Sequence, residues 1–366
     1  MSASYPQLSP EQLRGFGAEL DALRARTQAQ VGREDARYIR RVIAVQRYAE
    51  AIGRGLLFLG LFPPFWLLGT LLLAVSKILE NMEIGHNIMH GQYDWMRDPH
   101  IDGKTYEWDI AGTSDNWRKT HNFKHHTYTN VRGMDDDIGY GLLRLFPEQR
   151  WRPFYLAQPL VAIVFALLFE WGVAIQDLEL GRYFSGRKTG QQLAREWRPV
   201  ARKMRKQILK DYVLFPLLAG PFFLPVLAGN FVANILRNLW TYLIIFCGHF
   251  TAQVHIFPRS SVENESRPHW YLRQVLGSSN LKGGRLFHLM SGNLSHQIEH
   301  HLYPDLPSYR YARIAPEVQA ICARYQVPYN SGRLSIQFGQ VIWRILRHAL
   351  PSRPGSASPQ AIATTG

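Results

Sequence analysis

Fourteen histidines occur among the 366 residues of this chain, and eight of them fall in three short runs. His86-Asn-Ile-Met-His90 has the pattern H-x3-H, His121-Asn-Phe-Lys-His125-His126 is H-x3-H-H, and His296-Gln-Ile-Glu-His300-His301 repeats H-x3-H-H. On a helix, residues four apart share a face, so each pair can grip one ion, while the extra histidine points elsewhere and can reach a second. Two such runs on facing helices would hold two metals between them. Eight imidazoles exceed what one four-coordinate zinc needs. Imidazole-only ligation suits iron, zinc, copper or nickel. Two irons with positions open to O2 are the natural reading.

The elements that must carry these runs are apolar helices. From Gly55 to Ser76 there is no charged residue, and Pro63-Pro64 splits the region. This predicts a hairpin with helices over 42–62 and 65–82, each close to the length that crosses a bilayer core. A second hairpin is predicted over 211–229 and 231–250, turning at Ala228-Gly229-Asn230. The segment 176–210 holds ten Lys/Arg and three acids, which marks it as cytoplasmic. The segment 83–153 is polar and belongs on the same side, so 154–175 reads as an interfacial or re-entrant helix, with Glu170 and Trp171 at its boundary. The fold expected is all-α and integral to the membrane: four transmembrane helices in two hairpins, beneath a cytosolic helical cap that holds a di-metal site. Residues 1–41 read as a cytosolic amphipathic segment lacking a signal-peptide core, residues 42–350 as the membrane domain, and 351–366 as a disordered tail. Both termini and the histidines then face the cytoplasm.

Forty-two Lys/Arg against 28 Asp/Glu give a net charge of +14. That excess admits an anionic partner, but membrane topology accounts for it, and no nucleic-acid-binding pattern is present. Two cysteines, Cys247 and Cys322, exclude a disulfide scaffold and a four-cysteine zinc site.

With these runs in hand, the chain resembles the integral-membrane fatty acid desaturases over roughly residues 40–330. Gly85-His-Asn-Ile-Met-His-Gly91, Met134-Asp-Asp-Asp137 and Gly292-Asn-Leu-Ser-His-Gln-Ile-Glu-His-His-Leu-Tyr-Pro304 narrow the likeness to the bacterial acyl-CoA branch, the linoleoyl-CoA and stearoyl-CoA 9-desaturases. The resemblance implies a di-iron centre ligated by His86, His90, His121, His125, His126, His296, His300 and His301. It implies a ninth ligand after the last span, with His249 the candidate and His255 its competitor. It implies an O2-dependent enzyme that places a cis double bond, at the delta-9 position, in a long-chain acyl group carried on CoA or a phospholipid. The His-Pro-Gly-Gly haem motif of fused cytochrome b5 domains is absent. Electrons from NAD(P)H are therefore expected through a separate ferredoxin or flavin reductase.

The chemistry agrees with this implication. An unactivated CH2 is not acidic, so no side-chain acid or base can remove its hydrogens, and a metal oxidant must. Asp135, Asp136 and Asp137 follow the second run and read either as acceptors that orient ligand imidazoles or as a solvated acidic turn. Glu299 reads as a similar supporting carboxylate or, less simply, a general base. Two other functions use such residues: a membrane hydroxylase of lipid or alkane type, and a non-enzymatic metal transporter. The Gln-Ile-Glu-His-His sequence favours desaturation over hydroxylation. Transporters place histidines within spans, whereas these lie at or beyond span ends.

Overall fold

A computed structural model describes residues 6–351. Beyond Pro351, the tail expected at 351–366 lies outside the described residues. The fold is mostly helical. Among the described residues the named strands are two three-residue segments, β1 (Asn280–Lys282) and β2 (Ser331–Arg333), paired in parallel.

Helix α1 (Pro10–Ala29) begins with Ser9 as N-cap and Pro10 in the first turn, with Gln12 closing a capping box. After a break at Gln30–Gly32, α2 (Arg33–Leu57) starts on the acids Glu34 and Asp35. The amphipathic segment expected over 1–41 thus holds one helix and the start of a second. Phe16, Leu20 and Leu23 of α1 are buried against Tyr271, Leu302 and Tyr311, so α1 packs into the polar half of the molecule.

The first hairpin forms from α2 and α3 (Pro63–Met89). Its two arms approach closely because glycines face each other: a Cβ on Gly69 would sit 2.9 Å from the Gly53 carbonyl oxygen. The inner end of α3 widens into a π turn over Leu79–Gly85. Among the described residues, two helices are long and apolar enough to cross a membrane, Pro63–Met89 and Gly220–His249. The pair α5 (Gln158–Leu167) and α6 (Phe169–Gln176) is bent by 103°, as a broken span or re-entrant loop would be.

The second hairpin differs from expectation. Residues 223–249 are one continuous helix, here α8 (Phe223–His249), so the turn at 228–230 does not exist. The chain reverses earlier, around Gly220 (φ 55°), and the arm before it is α7 (190–218), which continues from the basic segment through a π turn. The uncharged Ala-Gly-Asn run serves packing. A Cβ on Gly229 would lie 2.5 Å from Leu57 Cδ2 and 3.1 Å from Thr70 Oγ1. Asn230 donates to the Asp211 carbonyl at 2.7 Å. Beside it, the Asp211 carboxylate binds Lys77 at 2.6 Å and Arg54 at 3.2 Å. These buried charges are paired, as burial requires.

The polar half is built from α4 (114–128), α9 (Arg267–Leu276), α10 (Gln297–Leu302), α11 (Tyr311–Arg324) and the ribbon, with α12 (Leu334–Ala349) laid beside α5 and α8. Gly229→Leu should overpack the contact between α8 and the first hairpin and cost about 1–3 kcal/mol. The thermal midpoint of the purified chain should fall. Gly55→Leu, where nothing lies within 4 Å of the added Cβ, should leave it unchanged.

Candidate metal centre

The first histidine run closes α3 directly after its π turn, and His249 is the last residue of α8. The second run lies in a π helix over Arg118–His125, where the N–H of His126 bonds back to the carbonyl of His121, five residues earlier. This i→i+5 bonding widens the helix, a feature frequent at functional sites. The His126 ring comes within 5.0 Å of that of His121, so both members face one site. The third run supplies α10.

Eight histidines converge. Ligand atoms of His86, His90, His121 and His300 lie within 4.8 Å of one another; so do those of His125, His249 and His301, and those of His126, His300 and His301. Ring nitrogens that approach each other, at 3.4 Å between His86 Nε2 and His121 Nε2 and 3.2 Å between His249 Nε2 and His301 Nε2, suit a shared cation.

In several rings the two nitrogens are treated differently, while both nitrogens of His126 are buried without a partner. Several outer nitrogens are anchored. His125 Nδ1 donates to Asp135 at 3.0 Å, His121 Nδ1 to Asp137 at 3.2 Å, and His301 Nδ1 to Gln274 Oε1 at 3.0 Å. The inner Nε2 atoms of His90, His125, His126 and His300 are buried with no hydrogen-bond partner. Orphaned buried polar atoms are costly, and one anchored nitrogen with one orphan aimed inward is the pattern of a metal-ligating histidine. The residues fit a two-metal centre on this ground.

The electrostatics agree. Burial, reinforced by neighbouring imidazoles, holds His90, His121, His126, His300 and His301 well below the ordinary histidine range. These rings are neutral at pH 7, the state a metal requires. His125 goes the other way: burial lowers it, but the adjacent Asp135 outweighs that and raises it.

The structure separates the remaining candidates. Asp135 and Asp137 stand behind ligand rings, whereas Asp136 turns outward to Lys124 at 2.7 Å. His249 joins the cluster. His255 lies outside it, its backbone N–H bonded to the Leu276 carbonyl. Glu299 is fully buried but bonds Asn280 and Tyr329 at 2.8 Å, and burial pushes it up to about 7. It braces α10 against the ribbon, where Asn280 also caps the N–H of Ile298.

His296 is not brought to the cluster. It ends a 3-10 turn before α10 and packs against His288, ring centroids 4.6 Å apart. Gln297 takes the place expected for it, with Nε2 2.7 Å from His249 Nε2 and Oε1 buried and unpartnered. The signal was present in the spacing: 297, 300 and 301 share one face of α10, and 296 precedes the helix. Gln274, Thr129 and Tyr311, which also hold ligand rings, carry no sequence signature.

A narrow cavity adjoins the cluster. His86, His121 and Trp117 line one side, and Met82, Ile110, Phe169 and Ile245 supply an apolar wall. Trp117 stacks on His121 at 4.6 Å.

Two sets of substitutions test the site. Asp135→Asn should lower metal affinity about 10–100-fold, read as metal per chain after dialysis, and Asp136→Asn should not. His296→Ala should keep nearly the full metal content, while His249→Ala should weaken any metal held by His125 and His301.

The family model for fatty acid desaturases matches residues 20–333. The chain is 46% identical over 354 residues to the NADPH-dependent stearoyl-CoA 9-desaturase of Mycobacterium tuberculosis, covering 95% of this chain and 83% of that one. It is 27% identical over 286 residues to the sn-1 linoleoyl-lipid 6-desaturase of Synechocystis, covering 75% and 77%. It is 24% identical over 279 residues to fatty acid desaturase 3 of Bos taurus, covering 73% and 58%. With the inward-facing imidazoles of the histidine runs set beside an apolar cavity, these matches make the chain a member of the fatty acid desaturase family.

Proposed function

We propose that this protein places a cis double bond at the delta-9 position of a long-chain acyl-CoA. The observation that carries this is the set of orphaned inner nitrogens on His90, His125, His126 and His300, beside an apolar cavity and in a chain 46% identical to a stearoyl-CoA 9-desaturase. We divide the eight rings between two irons. His86, His90, His121 and His300, with His126, would hold one; His125, His249 and His301, with Gln297 beside them, would hold the other. Bound iron would supply the O2-derived oxidising power that an unactivated C–H bond demands. Overall, two hydrogens from adjacent carbons and two electrons and two protons from outside reduce O2 to two waters. The electrons come from NADPH through a separate redox protein, a ferredoxin or flavin reductase.

The chain's own residues do the positioning. Asp135, Asp137 and Gln274 fix ring orientation. Met82, Ile110, Phe169 and Ile245 exclude water and hold an alkyl chain against the cluster, with Trp117 packed at its edge. The topology we propose has four spans in two hairpins, α2 with α3 and the end of α7 with α8. The polar half and both termini are then cytoplasmic. Arg54 and Lys77 share the Asp211 carboxylate and Arg54 also pairs with Glu50, so the four charges balance, which lets the charged arms α2 and α7 serve as spans.

Membranes holding the protein, supplied with labelled stearoyl-CoA, NADPH and a redox partner, should yield an acid unsaturated between carbons nine and ten, located by mass spectrometry. His300→Ala should abolish the product while membrane insertion persists. An alcohol without an alkene would assign the chain to hydroxylation instead.

A further inference from the structure

Helix α12 is apolar on two sides. Val341, Ile345 and Ala349 are buried against the neighbouring helices, while Ile336, Ile342, Trp343, Leu346 and Leu350 are exposed, Trp343 by 66%. A helix with apolar residues on both faces does not rest in water. The exposed stripe continues onto α5 through Leu160, Ile163 and Val164, and both helices pack on α8, one of the two membrane-length helices. Between the three runs a groove of about 510 Å³. Ala162, Ile163 and Ala166 of α5, Leu243 of α8, and Ile342 and Leu346 of α12 line it. Tyr242 alone brings a polar atom to its walls.

One end of this groove is cationic. Trp151 Nε1 donates to the Ala349 carbonyl at 2.8 Å, and Gln158 at the start of α5 binds the Ile345 carbonyl. These bonds bring Arg150 and Arg152, which flank Trp151, to the C-terminal turn of α12, where Arg347 lies. All three arginines are exposed, and among the described residues none has an ion-pair partner. The nearest acid in sequence, Glu148, is half-buried and turned in, one carboxylate oxygen reaching no donor. Phe154 and Leu156, 49% and 57% exposed, stand beside the arginines. Aromatic side chains next to cations at the end of an apolar surface mark the headgroup level of a bilayer.

We infer that this seam is a seat for one anionic phospholipid of the leaflet on the histidine side. An acyl chain lies in the groove between α5, α8 and α12, and the phosphate rests against Arg150, Arg152 and Arg347. The seat is separate from the metal centre and does not depend on the reaction proposed above.

The test uses the full chain in nanodiscs of phosphatidylcholine with a minor share of phosphatidylglycerol. Cys247 and Cys322 are both fully buried, so a fluorophore on Trp343→Cys reports from the rim of the groove alone. Phosphatidylglycerol brominated in its chains should quench it several-fold more, mole for mole, than brominated phosphatidylcholine. The double variant Arg152→Gln/Arg347→Gln should erase that preference and keep the quenching by phosphatidylcholine. Equal quenching by both lipids in the parent would overturn the seat, leaving ordinary bilayer contact. No quenching by either would also overturn it, and would mean that water or a second copy of the chain covers this face. Native mass spectrometry of the unlabelled protein gives a second reading: one retained phosphatidylglycerol, lost in the double variant.

Discussion

Everything in this molecule answers to the problem of burying eight imidazoles in one place. A polar ring taken out of water must have its nitrogens satisfied, and neighbouring rings cannot all be protonated. The structure meets this by splitting several rings into two roles, His125 most plainly, with Nδ1 tied to Asp135 and Nε2 left without a partner. Where outer nitrogens are tied, the ties go to carboxylates and amides that fix the tautomer and the tilt. The inner nitrogens are left facing one another across a few ångströms, an arrangement that suits cations between them. Asp135, Asp137, Gln274 and Thr129 thus belong to the site as much as the rings do, because without them the rings would turn to find other partners.

Positioning the rings takes most of the chain. Ligands come from the end of α3, the π helix over 118–125, the last residue of α8, and α10. The π turns matter because they shift side chains by a fraction of a turn, which lets His121 and His126 face the same centre. The close glycine contacts of the first hairpin and the buried Arg54–Asp211–Lys77 group fix the height of α3 against α8, and so of His86 against His249. On the far side, α1 and α11 clamp α10 through a compact aromatic core.

Much of this was legible in the sequence because the relevant signals are local. Histidine spacing gave seven of the eight gathered rings, and the uncharged run from Gly55 to Ser76 with Pro63-Pro64 gave the first hairpin. What was misread depends on contacts distant in sequence. Gly229 and Asn230 look like a turn until Leu57 and Asp211 are placed against them. His296 looks like a ligand because it completes a spacing that assumes an unbroken α-helix, yet the helix begins one residue later. Asp135, Asp136 and Asp137 are indistinguishable as a string, and only the turn that carries them decides which face the rings. Gln274 and Tyr311 are ordinary residues until the fold brings them to the cluster.

The parallel ribbon of Asn280–Lys282 and Ser331–Arg333 has a consequence for biogenesis. It pins the segment before the third histidine run to one synthesised some fifty residues later, and Tyr303 also hydrogen-bonds the carbonyl of Leu20, near the chain's beginning. Both hairpins are therefore synthesised before α10 has the ribbon to be braced against. The last two rings of the cluster, His300 and His301, come later in the chain than the other six, so the histidine cage closes only after both hairpins have been made.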